Sequence, residues 1–173
     1  MRTSRKRQSG VGMVEILVAL LVLAIGVLGY AGLQLNALKS TEDANIRSQA
    51  TALARDALER IIANPQARST YLQENSWNTG AGALGEAPPS NPDCMASSCD
   101  SDQMSVWDRN TLRWQAGNLL PAGKIRVQPC DSGSTLTSCV VVAWGDQALD
   151  GCIDGGDINT DDSAKCVVME VTR

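Results

Sequence analysis

A single acid opens the longest apolar run of the chain. Glu15 lies eight residues after Arg7, and residues 16–35 that follow carry no charge. A carboxylate bordering hydrocarbon is costly unless it is neutralised or paired, so acids in such positions are usually functional. Six cysteines form a second set: Cys94, Cys99, Cys130, Cys139, Cys152 and Cys166. All follow the apolar run, and an even count without histidine favours disulfides over a zinc site. Pairing of sequence neighbours is the expectation, giving Cys94–Cys99, Cys130–Cys139 and Cys152–Cys166. The close Cys-x-x-Cys spacing of redox catalysts is absent. A third set is acidic: Asp154, Asp157 and Asp161, flanked by Asp150 and Asp162. Clustered carboxylates suit calcium, but this spacing is not that of an EF-hand loop. A solvated acidic turn is the expectation, with calcium the alternative and no cofactor expected otherwise. The lack of histidine excludes Ser–His and Cys–His catalysis. Neither a Gly-rich nucleotide loop nor a nucleophile elbow occurs. A Ser–Lys or paired-carboxylate mechanism stays open, but a structural protein, not an enzyme, is the reading.

The elements that must position these residues begin with a short basic segment. Residues 1–10 include Arg2, Arg5, Lys6 and Arg7. As a helix, residues 16–35 would span roughly 30 Å, enough to cross a bilayer. The basic flank should stay in the cytoplasm, which puts the remainder outside it. An ordinary secretory signal, cut after a small residue such as Ala31, has no use for Glu15; an uncut anchor is the other general reading. Without the four basic residues, eleven Lys+Arg face nineteen Asp+Glu, a net charge of −8. That balance argues against nucleic acid as a partner and favours solubility.

The stretch Gly10-Val11-Gly12-Met13-Val14-Glu15 resembles the cleavage motif of the type IV pilin-like family: Gly last in the leader, Glu fifth in the mature chain, then about 20 apolar residues. The resemblance implies cleavage after Gly10 by a prepilin peptidase, methylation of the new N-terminus at Val11, and an assembly role for Glu15. Val at the first mature position departs from the commoner Phe or Met. A free N-terminal amine on a neighbouring helix is a suitable partner for Glu15, and that pairing would set the axial register between subunits.

From residue 36 the pattern turns amphipathic. Ile46, Ala50, Leu53, Ala54, Ala57, Leu58, Ile61 and Ile62 recur at spacings of three and four, with Asp56 and Arg60 i,i+4 on the polar side. Asn64-Pro65 should end the run. One helix over residues 11–64 would be roughly 80 Å long, its second half docked on the C-terminal domain and its first half protruding, as the pilin resemblance also implies. Gly26, Gly29 and Gly32 interrupt the apolar half; close helix packing, local bending, or the ordinary glycine content of membrane helices are all open readings.

Residues 69–101, rich in Gly, Ser, Asn and Pro, read as a long irregular connection. A second helix is expected over residues 102–119, capped by Asp102, with Met104, Trp107, Thr111 and Trp114 as its buried stripe. Residues 124–128, 138–144 and 166–172 read as strands. The expected fold class is α+β: a long N-terminal helix on a small antiparallel sheet, stapled by disulfides. With no Phe, four Trp and two Tyr, the core should be modest. The expected organisation is a leader at 1–10, a membrane or filament-core segment at 11–35, an amphipathic segment at 36–64 and a globular domain at 65–173.

The tract from Trp107 and Trp114 through Leu119-Leu120-Pro121-Ala122-Gly123 to the Val-rich strand ending in Trp144 resembles the minor pilins of type IV pili. The resemblance implies other minor pilins, pilin subunits and a tip adhesin as partners, with residence in the inner membrane and periplasm before assembly and in an extracellular pilus afterwards. A type II secretion pseudopilin shares the N-terminal logic, and a membrane-tethered periplasmic binding domain is the remaining alternative.

Overall fold

The computed structural model describes Gly10, residues 12–77, Gly80, and residues 82–130, 137–161 and 163–172, the last of these through its backbone alone. The chain divides into two units, Met1–Asp43 and Ala44–Arg173.

Helix α1 runs without interruption over Met13–Ala63. No proline occurs in this stretch, Glu15 lies in its first turn and Arg60 in its last, both favourable to the helix dipole. Asn64 leaves helical angles at φ −118° and ψ 70° before Pro65, as the residue before a proline tends to do. In the second unit α1 buries Ala50, Leu53, Ala54, Ala57 and Ile61. Ile46 and Leu58 flank this stripe, half-buried. Ile62, expected in the stripe, is instead exposed: at one residue past Ile61 it is rotated about 100° around the helix from the buried line.

A short helix, α2 (Arg68–Tyr71), and a single 3-10 turn at Glu74–Ser76 punctuate the connection that follows. Helix α3 spans Ser101–Leu119 and is capped by Asp100, not Asp102. Asp100 and Gln103 form a reciprocal capping box, with Gln103 N donating to Asp100 Oδ1 at 2.8 Å and Asp100 N donating to Gln103 Oε1 at 3.1 Å. The buried face of α3 also differs from the expected stripe. It consists of Ser105, Asp108, Leu112, Ala116 and Gly117, while Met104, Trp107, Thr111 and Trp114 are only half-buried. Small residues win this face because the backbone comes close. A Cβ on Gly117 would meet Gly82 O at 2.3 Å, and one on Gly123 would meet Ala116 O at 2.0 Å.

Three strands form the main sheet: β1 (Lys124–Pro129), β2 (Thr137–Ala143) and a C-terminal strand, Cys166–Thr172, in the order β1–β2–C-terminal strand, all antiparallel. Val127 pairs with Val140, and Val142 with Val167. Ile125, Val127, Val140, Val142 and Val171 share one core with the α1 stripe, Leu112 and Ala116. Side chains alternate across a strand, so Cys139, Val141 and Ala143 face the other way. There they meet Leu149, Cys152 and Cys166 in a second core. The acidic segment forms a two-stranded hairpin, β3 (Ile153–Asp154) and β4 (Asp157–Ile158), of which Ile153 packs against this second core, making the C-terminal strand β5. Gly155 and Gly156 form its two-residue turn with φ of 61° and 101°, the left-handed angles that such turns demand. The fold is α+β, a long N-terminal helix on a small antiparallel sheet with three disulfides.

Candidate assembly site

In the first unit the helix starts directly after the glycines. Gly12 O accepts hydrogen bonds from Glu15 N at 3.0 Å and Ile16 N at 3.3 Å. This places Glu15 in the first turn, its side chain exposed. Gly10 is exposed as well; Val11 lies outside the described residues. Every residue from Gly12 to Asn45 is exposed, including Leu17, Leu21, Ile25, Leu28 and Leu33. The helix is long and apolar enough to cross a membrane. Water would not tolerate so continuous an apolar surface, so lipid or other helices must cover it. A Cβ at Gly26, Gly29 or Gly32 would meet no atom within 4 Å. Packing within this chain therefore does not require these glycines.

The second unit holds its part of α1 through charge as well as apolar packing. Arg47 donates from Nη2 to Ala164 O at 3.0 Å and from Nη1 to Cys166 O at 3.3 Å. Its guanidinium lies 5.5 Å from the Trp144 ring centroid, a cation–π contact. Arg60 pairs with Asp56 at 3.0 Å, as the i,i+4 spacing suggests, but it also reaches Asp108 on α3 at 2.8 Å. Asp108 is 4% exposed. Its other oxygen accepts the Tyr71 hydroxyl proton, and Trp77 Nε1 donates to Tyr71 O at 2.7 Å. Sequence reasoning missed this network. The available signal was an acid, Asp108, in register with Ser105, Leu112 and Ala116 on α3.

Burial, followed by the hydrogen bond to Asp108, raises the Tyr71 phenol well above its ordinary value. A raised pKa favours the neutral phenol in the folded state. Its contribution is therefore fully present below about pH 10 and is lost as pH rises from there towards the folded value. Residues 36–173 contain Tyr71 as their sole tyrosine. Phenolate absorbance of that fragment should stay flat through pH 10–11 and rise together with alkaline unfolding; a free titration near pH 10 in folded protein would contradict the burial.

The cysteines pair with their neighbours: Cys94–Cys99, Cys130–Cys139 and Cys152–Cys166, with Cα separations of 5.5, 5.0 and 5.9 Å. Each lies in the ordinary range. The first closes the loop before α3, the second ties the end of β1 to β2, and the third ties the hairpin segment to the start of β5. Cys152–Cys166 closes the longest loop and sits in the second core. Replacing both by serine should cost about 2–4 kcal/mol, read as a lowered denaturant midpoint under oxidising conditions. No change there would show that the second core stands without its bond.

The acidic residues do not converge. Among the described residues no group of three or more acidic or cysteine side chains could hold a metal ion. Asp154 and Asp157 pair across β3–β4. Asp161 accepts from Ser163 N at 3.1 Å and from its hydroxyl at 3.0 Å, which holds its carboxyl below the usual range. Asp162 lies outside the described residues.

An exposed apolar helix headed by glycine and an acid thus continues into a disulfide-closed α+β unit. Residues 5–31 match the prokaryotic N-terminal methylation motif, and residues 32–110 match the Tt1218-like family, described as type IV pilin Tt1218. Through these two matches residues 5–110 are similar to type IV pilins that carry the methylation motif. The main sheet lies beyond both matched segments. No curated protein and no solved structure matches the chain.

Proposed function

We propose that this pilin is a minor pilin of the PilV type that primes type IV pilus assembly with other minor pilins and helps display a tip adhesin, supporting attachment and twitching motility. In this reading the prepilin peptidase cuts after Gly10 on the cytoplasmic side and methylates Val11. Residues 11–35 hold the subunit in the inner membrane, with residues 65–173 in the periplasm, until the helix passes into the filament core. Glu15 then pairs with the terminal amine of a neighbouring subunit.

The observation that carries the reading is the position of Glu15. It stands one turn into a helix whose next 20 residues are uncharged and exposed. A carboxylate entering a bundle of such helices loses its water and must find a cation. The new N-terminus of another copy is a cation that cleavage itself creates. The tract from Trp107 to Gly123 and the strand towards Trp144 support the minor-pilin assignment through their resemblance to PilV.

A deletion strain tests it. Loss of surface pili and of twitching, restored by the wild-type gene, is the expected result. Intact pili with failed export of secreted enzymes would assign the chain to a type II secretion pseudopilus.

A further inference from the structure

The two half-buried tryptophans of α3 are not part of either apolar core. They line a cleft of about 540 Å³ between α3 and the segment that crosses it, residues 86–95. We propose that this cleft binds a neutral saccharide ring.

Its floor is one face of α3, where Trp107, Thr111, Trp114 and Gln115 follow at helical spacing. Pro88 and Pro89 form the opposite wall, and Arg60 lies beside Trp107, 5.6 Å from its ring centroid. The indole of Trp114 is fixed by its Nε1 donating to Glu86 O at 2.6 Å. Thr111 Oγ1 and Gln115 Oε1 are buried and have no hydrogen-bond partner among the described residues. A protein that gains nothing from a buried polar atom loses stability by keeping it. Two such oxygens four residues apart, lining the same cleft as the two tryptophans, mark a floor built for a ligand.

The chemistry narrows the ligand class. Arg60 is neutralised by Asp56 and Asp108, so an anion finds no free positive charge. Asp93 Oδ1 accepts from Met95 N and Ala96 N at 3.1 and 3.2 Å, which ties that oxygen to its own turn. An uncharged ligand fits this lining. It must offer a C–H face to indole and a hydroxyl donor to the Gln115 oxygen. A hydrocarbon ligand would leave both oxygens unpaired. A pyranose ring offers both its apolar face and its hydroxyls.

Access is built into the covering segment. It is held at one end by Trp114 on Glu86 and by Gly85 N donating to Asn118 Oδ1 at 3.0 Å. At the other end it is held by the Asp93 turn and the Cys94–Cys99 bond. Between these anchors residues 87–92 make no hydrogen bond among the described residues. The middle can lift to uncover the two oxygens while both ends stay in place.

The test uses the full-length protein in a non-glycosidic detergent, titrated with glucose, galactose and N-acetylglucosamine. Binding is read by tryptophan fluorescence and by saturation-transfer NMR of the sugar. At least one sugar should saturate with a Kd on the order of 1–10 mM. Thr111→Val and Gln115→Leu should each weaken it about tenfold or more. Because neither oxygen has a partner among the described residues, both variants should keep or raise the melting temperature. Two results overturn the proposal: no saturable signal from any of the three sugars up to about 50 mM, or variants that lower the melting temperature while binding is unchanged.

Discussion

Glu15→Ala is expected to leave leader cleavage intact and to cut the subunit's incorporation into pili at least about tenfold. The substitution improves the helix propensity of its turn and the hydropathy of the segment, so membrane insertion should not suffer. What it removes is the carboxylate proposed to answer a neighbour's amine. Stripping one partner from a desolvated pair leaves the other charge uncompensated, at a cost of about 3–5 kcal/mol. Each 1.4 kcal/mol is about a tenfold change in an equilibrium constant, so even a partly hydrated pair supports the expected drop. Glu15→Gln keeps the shape and one acceptor but not the charge, and should fall between the two. Quantifying mature subunit in membranes and in sheared pili separates the steps. Wild-type amounts of Glu15→Ala protein in pili would remove Glu15 from the assembly mechanism.

Asp108→Ala should lower the second unit's stability by about 2–4 kcal/mol, through one lost charged hydrogen bond and one buried hydroxyl left without its acceptor. Asp108 is the joint of the network: one oxygen holds Arg60 of α1, the other holds Tyr71 after α2. Removing it leaves the half-buried guanidinium with Asp56 alone and takes the acceptor from a fully buried phenol. For a domain stable by about 5–15 kcal/mol, that loss is large. Tyr71→Phe on its own should cost less, because it takes away a donor and leaves Asp108 paired with Arg60. Denaturant unfolding of the three proteins checks the order. A loss below about 1 kcal/mol for Asp108→Ala would show that the network is peripheral to the fold.

These two residues differ in how readable they were. The place of Glu15 at the head of the apolar helix was readable because its signal is local: one charge beside a long uncharged run. The end of α1 was equally local, since Asn64-Pro65 stops a helix whatever surrounds it. The Val-rich strands were visible through composition, and β5 covers the residues expected. Asp108 was not readable because its partner Arg60 lies 48 residues away, and Arg60 already had a local partner in Asp56. The buried face of α3 was misread for a related reason. Large apolar residues at helical spacing suggest a core, but here Gly82 and Gly123 bring backbone against α3 and select the small side chains of Ala116 and Gly117. Trp107 and Trp114 were displaced towards the surface by that close approach. The acidic loop hid a hairpin because Asp154-Gly155-Gly156-Asp157 is rich in turn residues, and two-residue strands leave almost no pattern.

The proposed assembly turns on where the mature chain begins. Intact mass and terminal-fragment spectrometry of the protein recovered from its native membrane or from pili measures it directly. The account predicts a chain beginning at Val11, with the added mass of one methyl group on the terminal amine. A chain beginning at Met1, or at Gly32 after an ordinary signal cut, would contradict it.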